Sequence, residues 1–238
     1  MSKTATEHLE DSMDQWDGLY RAIKDDSWPE CNTIEDFTKL PSHIQLEIVK
    51  DHLIQNAPSN VDISKEIADI IGYDNLHFEV KDVDFVKSLV GVISPSMILE
   101  VGTHSGFVTA VISQTLGNTG NGNVISLDTE DRLLDECRKY FGENTMILVS
   151  QIRDLYKFPE SGYNKFDLII VTRDHSYAGT FRDLTKSYEL LAEEGHLLCY
   201  NGDYESVQTA IVDFTQITGA VDCGRYGNKL HLFRKGYL

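Results

Sequence analysis

The chain is 238 residues long, 41% hydrophobic and 25% charged, with a net charge of −17 and a pI near 4.7. That length suits one α/β domain with an extension and allows a substantial core. So acidic a surface repels phosphate backbones and anionic membranes, and no Lys/Arg cluster offsets it, so neither nucleic acid nor a membrane is an expected partner. No apolar run approaches the roughly 20 residues that a membrane span needs. The polar, acidic start MSKTATEHLEDSMDQWDGLY has no apolar signal core, and a cytoplasmic location is expected.

The first 60 residues carry 12 Asp and Glu against 5 Lys and Arg. Apolar residues there recur in short helical pieces: Met13, Trp16 and Tyr20, then Ile44, Leu46, Ile48 and Val49. Trp28-Pro29 and Leu40-Pro41 interrupt them. Residues 1–78 are thus expected to form an acidic, mainly helical extension. Two roles suit it, cover for an active site or a homo-oligomer contact, and the sequence does not choose. The cysteines Cys31, Cys137, Cys199 and Cys223 form no CxxC pair and sit at no zinc-ligand spacing, so reduced core thiols are expected.

From residue 79 the pattern becomes regular. EVKDVDFVKSLVGVIS reads as an amphipathic helix stopped by Pro95. MILEV (97–101) is the short apolar run of a buried parallel strand. A helix over GFVTAVISQTL follows, then a Gly/Asn loop. VISLD (124–128) is a second strand, EDRLLDECRKYF a helix, TMILVS (145–150) a third strand and DLIIV (167–171) a fourth. YAGTFRDLTKSYELLAEE reads as a long helix closed by Gly195, and HLLCY (196–200) as a fifth strand. Alternating strands and helices predict a doubly wound, mostly parallel sheet. After the helix YESVQTAIVDFTQITG come AVDCGRY and KLHLFRK, joined by Gly227-Asn228 alone. That join is too short for a parallel crossover, so it predicts an antiparallel hairpin.

The first strand ends in Glu100-Val101-Gly102-Thr103-His104-Ser105-Gly106 and runs into a helix. A glycine at 102 permits a tight turn and close approach of a ligand to the backbone. The following helix N-terminus favours a carboxylate or a phosphate. Asp128 ends the second strand, where it can accept hydrogen bonds from ribose hydroxyls. A dinucleotide fingerprint needs glycine where a pyrophosphate lies on the backbone. Here the middle position is His104 and the last is Phe107, which would crowd it. S-adenosylmethionine (SAM) carries no phosphate, and its ammonium group suits an acidic residue such as Glu100.

ILEVGTHSG, ISLD, FDLIIVTRDHSY, LLAEEGHLLCY and the final hairpin together resemble class I SAM-dependent methyltransferases over roughly residues 80–238. The branch they most resemble is that of small-molecule O-methyltransferases related to macrolide sugar methyltransferases and cephalosporin hydroxylase-like proteins. There the fourth strand ends in an Ile-Asp-Gly-x-His-x-Tyr run. Here that run is Val171-Thr172-Arg173-Asp174-His175-Ser176-Tyr177. The resemblance implies a Rossmann-like domain over 79–238 and SAM-dependent methylation of a small molecule at a hydroxyl.

Residue by residue, it implies that Glu100, Gly102, Thr103, His104, Ser105 and Gly106 meet the methionine part of SAM. Asp128 would hold the ribose, Thr129 would lie beside the adenosine, and Ser150, Gln151 and Ile152 would line the adenine. Thr172, Arg173, Asp174 and His175 would face the sulfonium and the acceptor. His175 is the candidate base, because a neutral imidazole can take a hydroxyl proton near pH 7. Asp174 would orient it or bind the acceptor, and Tyr177 would reach the site with its hydroxyl. Metal-binding relatives carry aspartates where this chain has Thr172 and Asn201, and a hard cation prefers carboxylates. No metal is therefore expected, although Asp174 and Asp203 lie nearby. Two other functions remain open at this stage. One is a catalytically degenerate SAM-binding regulator. The other is a nucleotide-dependent oxidoreductase, against which His104 and the hairpin argue.

Overall fold

The computed structural model describes residues 63–73, 78–119, 122–157 and 165–236. The expected helical pieces between Met13 and Val49 lie outside these residues. Helix α1 (Ile63–Ile71) and helix α2 (Val80–Ile93) precede the first strand, β1 (Met97–Val101). Helix α2 ends at Ser94, which takes the left-handed conformation (φ 48°) just before Pro95. Next come α3 (Phe107–Thr119), β2 (Asn123–Asp128), α4 (Asp135–Arg138), β3 (Thr145–Val149) and a 3₁₀ turn (Ile152–Lys157). The chain continues through β4 (Phe166–Val171), α5 (Tyr177–Leu190), β5 (Leu191–Cys199), α6 (Glu205–Thr218), β6 (Val221–Tyr226) and β7 (Leu230–Arg234).

The strands form one sheet in the order β3-β2-β1-β4-β5-β7-β6. The first five are mutually parallel, whereas β7 lies antiparallel between β5 and β6. Both the parallel sheet and the terminal hairpin follow the sequence expectation. The central strands are apolar because helices cover both faces: Ile98, Leu99, Leu168, Ile169, Leu197 and Leu198 are all fully buried. Behind β5 and β7, Phe214 of α6 meets Phe233 edge to face at 5.5 Å. Burying each such ring contributes about 2 kcal/mol. Cys137, Cys199 and Cys223 are buried free thiols.

The order reverses at β1. The chain first winds from β1 outward to β3, then returns to β4 on the other side. At such a switch the flanking loops part and leave a crevice at the carboxyl ends of the strands. Glu100, Asp128, Thr172 and Asn201 all lie at those ends.

Two helices are shorter than their patterns predict. The expected helix over residues 130–141 is confined to Asp135–Arg138. Leu133 and Leu134 are used against the glycine loop instead. The Leu134 N–H donates to the Ser105 carbonyl at 3.1 Å, and Leu133 fills the space a Cβ on Gly106 would occupy. Helix α5 stops at Leu190, not at Gly195. Leu191 is fully buried and pairs with Phe166, and residues 192–195 bulge before His196 re-enters the ladder opposite Leu168. Glu194, at φ 63°, makes the turn within that bulge.

Candidate active site

The glycine loop forms because β1 must turn sharply under the end of β4. Gly102 has φ 116°, and a Cβ there would lie 2.3 Å from Thr172 Oγ1 and 3.0 Å from the Arg173 Cα. Only glycine fits on both counts. Thr172 closes the junction from the other side: its hydroxyl donates to the Gly102 carbonyl at 2.9 Å. His104 also lies in the left-handed region (φ 51°), and its N–H donates to Asp128 Oδ2 at 3.0 Å. The Thr129 N–H donates to the other Asp128 oxygen at 2.7 Å. Asp128, nearly buried, is thereby fixed beside the loop.

Glu100 lies beneath the loop and is fully buried. Its Oε2 accepts from the Ser126 hydroxyl at 2.6 Å and from the Thr109 hydroxyl. Its Oε1 has no hydrogen-bond partner. Desolvation pushes its carboxyl up to about 7, against the pull of the two hydroxyls. Thr103 joins the same network through Ser126 at 2.7 Å.

A crevice of about 250 Å³ opens above these groups. Glu100, Gly102, Thr103, His104, Ser105, Thr172 and His175 line it, so seven of the expected residues come together. A smaller hollow beyond His104 is bounded by Asp128, Leu133 and Leu148. Gly106 is in neither; it lets the loop pack on Leu133. Thr129 stands next to Asp128 through its backbone alone.

Other expected residues are placed elsewhere. Arg173 turns away from the crevice and holds the fully buried Asp183 with its guanidinium, at 2.9 and 3.1 Å. A carboxylate without solvent needs that partner, and the buried position of Asp183 on α5 decides the matter. Asp174 does not orient His175. Its Oδ1 accepts from the Ser176 N–H at 2.9 Å, and its backbone carbonyl accepts from Thr180. Partial burial would raise its carboxyl, but the Ser176 hydrogen bonds and the Arg182 charge hold it below the usual range. Together with Ser176, whose hydroxyl accepts from the Gly179 N–H, Asp174 starts helix α5. Tyr177 sends its hydroxyl to Asp213 on α6, 2.7 Å away, and not into the site. The Ser150 hydroxyl and the Gln151 N–H both donate to Asp154, while Ile152 packs into the core behind the sheet.

His175 itself stands at the mouth of the crevice. Its ring lies 3.1 Å (Nδ1) and 3.3 Å (Nε2) from the Asn201 amide nitrogen. Asn201 is nearly buried at the end of β5 with φ 60°. It is Asn201, not Asp174, that orients the imidazole. Sequence reasoning did not find several further lining residues, among them Phe78, Tyr204 and Lys229. They precede α2, cap α6 and sit in the β6–β7 turn, and no local pattern marks them. Among the described residues, no group of three or more His, Cys, Asp or Glu stands together as a metal site.

The sheet order with its reversed seventh strand gives a Rossmann-like fold of the kind seen in methyltransferases. Residues 99–201 match the family described as "Methyltransferase domain". No curated protein matches the chain. Several solved structures share its fold. An O-methyltransferase from Bacillus cereus in complex with SAH is 17% identical, with a TM-score of 0.57 over 75% of this chain and 92% of that one. The O-methyltransferase TomG from Streptomyces achromogenes, involved in tomaymycin synthesis and solved with SAM, is 13% identical, with a TM-score of 0.58 over 75% and 92%. The SAH-bound methyltransferase PaMTH1 from Podospora anserina is 15% identical, with a TM-score of 0.60 over 83% and 98%. At these identities the likeness is one of fold.

Proposed function

We propose that the crevice binds SAM and that the chain methylates a small molecule at a hydroxyl. The observation that carries this is the fully buried Glu100 with an unpartnered Oε1 in a crevice wall. A buried polar atom left alone costs stability unless a ligand completes it. A ligand ammonium supplies the missing donor and the opposite charge. The Gly102 and Thr103 backbone gives the ligand close approach, and Asp128 accepts from ribose hydroxyls. Bound there, SAM supplies a methyl group on a sulfonium that is displaced in line.

The chain's own residues do the rest. Asp128 would hold the nucleoside end on the β2 side, which leaves the β4 side of the crevice for the acceptor. His175 stands on that side. It would take the acceptor hydroxyl proton when the bound cofactor, as methyl donor, gives its methyl group to that oxygen and leaves as the neutral thioether. Asn201 holds the imidazole plane. Positioning supplies most of the remaining rate. No metal is required. Thr172 and Asn201 are neutral, and both are already engaged, with Gly102 and His175. A chelator leaves the rate unchanged in this reading, and a rate lost to it and restored by magnesium would overturn that point.

Calorimetric titration of the full chain with SAM, S-adenosylhomocysteine and NAD tests the reading. The first two bind and NAD does not; Glu100→Ala weakens both by at least about tenfold, the value of one charge-assisted hydrogen bond. Binding of NAD alone, or of none of the three, would refute it.

A further inference from the structure

One short stretch of chain holds His175. Residues 201–206 run from the end of β5 into the first turn of α6, and three of them touch it. The Asn201 amide nitrogen lies 3.1 Å from Nδ1 and 3.3 Å from Nε2. An atom almost equidistant from both nitrogens sits across the ring and not along the lone pair of either, so the amide fixes the ring without using up a nitrogen. The Tyr204 ring lies parallel to the imidazole, with centroids 5.5 Å apart and planes 6° apart. The third contact is to the backbone: the Ser206 hydroxyl donates to the His175 carbonyl at 2.6 Å.

The stretch is itself fixed. Asn201 is left-handed at φ 60°, its carbonyl accepts from the Tyr204 N–H at 3.1 Å, and the Gly202 N–H donates to the Lys229 carbonyl of the β6–β7 turn at 2.8 Å. Beyond Ser206, Val207, Ala210 and Ile211 of α6 are buried. The neighbours of His175 are held by a different helix. The Asp174 carbonyl accepts from Thr180 of α5, and the Asp174 carboxylate accepts from the Ser176 N–H. His175 thus stands, exposed, on a loop that α5 carries. An exposed side chain ordinarily samples several staggered rotamers, so a single orientation has to be imposed from outside that loop. Residues 201–206 impose it.

We infer that Ser206 is a positioning residue for His175, the backbone arm of a clamp whose other two arms, Asn201 and Tyr204, grip the ring. The inference rests on the methyl-transfer reading for what the clamp serves, but not for its geometry. Ser206 does not line the crevice and acts through His175 alone. Its hydrogen bond ties the β4–α5 loop to α6, the helix that the ring-holding residues lead into. Release of that bond lets the loop drift from the amide and the Tyr204 ring while both stay in place. A group that moves protons is sensitive to such drift, since about 1 Å of misplacement is felt strongly in rate.

Nuclear magnetic resonance of the full chain, isotope-labelled at histidine, reads the clamp without any acceptor. His175→Ala identifies the His175 ring signals by their disappearance. In the natural protein the Tyr204 ring current displaces those signals, and Tyr204→Ala abolishes the displacement. Ser206→Ala loses about half of it or more, because a hydrogen bond that favours the clamped loop by about fivefold is gone. Ser206→Thr keeps the hydroxyl and restores the signals. Ser206→Ala folds, since alanine is the better helix former, and circular dichroism checks that. A bond that only joined two helices would lower stability in Ser206→Ala and leave the ring signals where they were. That result, or signals that Ser206→Thr fails to restore, would overturn the clamp. S-adenosylhomocysteine titrated into the same samples keeps the two ideas apart. Its affinity stays within about twofold in Ser206→Ala, because the cradle on the β2 side is untouched. Its failure to bind the natural protein would sink the methyl-transfer reading, and the ring signals would still decide the clamp.

Discussion

The two sides of β1 are built differently. On the β2 side, Glu100, Thr103, Ser126 and Asp128 are all at most 5% exposed, and hydroxyls and backbone N–H groups hold them. On the β4 and β5 side, His175 and Tyr204 stand out in the crevice, held by an amide and by stacking. The first side is a preorganised cradle that leaves one buried oxygen unmatched. The second is a side-chain surface that can vary without disturbing the cradle.

The strongest way to break the contrast is at the cradle. Gly102→Val puts a branched side chain at φ 116° and against Thr172 and the Arg173 backbone. Affinity for S-adenosylhomocysteine falls by at least about a hundredfold, since strain of about 1–3 kcal/mol adds to direct obstruction of the ligand. Calorimetry reads the loss. Affinity within threefold of the natural protein would remove the loop from the cofactor site.

How legible each side was follows from the same division. A glycine loop between a strand and a helix marks backbone geometry, and backbone geometry is local. Glu100, Gly102 and Asp128 could therefore be placed from the sequence, as could the sheet and its terminal hairpin. The direction of a side chain is not local. Arg173 is three residues from Ser176 and reads like a site residue, yet Asp183, ten positions on and buried, claims it. Leu191 reads as helix because the periodicity runs on, but its burial beside Phe166 makes it strand. Tyr204 and Phe78 carried no signal, because tertiary packing alone brings them to the crevice.

Arg173→Met sharpens the second side. It strands Asp183, which is fully buried and keeps only Arg182, itself half-exposed. The cost is about 3 kcal/mol of stability, at the low end for breaking a buried pair because one arginine remains. Chemical denaturation measures it. The folded fraction keeps its affinity for S-adenosylhomocysteine, and a selective loss of that affinity would return Arg173 to the cofactor site.

His175→Ala comes next. Removing a general base costs on the order of a hundredfold in rate. The cofactor rests on the other side of β1, so its affinity changes by less than about twofold. Measured turnover with a hydroxyl acceptor decides this, and full activity would assign the rate to proximity alone. Asn201→Ala gives a smaller loss, since the ring keeps its stack on Tyr204.

The smallest effect concerns pH, and it returns to the unmatched oxygen. Burial raises the Glu100 carboxyl from 4.5 to about 7, so below pH 7 the free protein carries a proton there. Between pH 4.5 and 7 the folded state binds more protons than the unfolded one. Stability contributed by this group therefore falls as pH rises through that window. Cofactor binding has the opposite sign. A ligand ammonium facing Oε1 favours the ionised carboxylate, so binding below pH 7 must expel the proton. Affinity then drops about tenfold for each unit below 7 and levels off above it. From pH 7.5 to 6, S-adenosylhomocysteine should weaken by roughly tenfold, with a proton released to buffer and visible as a buffer-dependent heat. Glu100→Gln, of the same shape and uncharged, should bind more weakly and with no slope across the window. A flat profile in the natural protein would mean that Glu100 is ionised before the ligand arrives, and that its buried oxygen is completed in some other way.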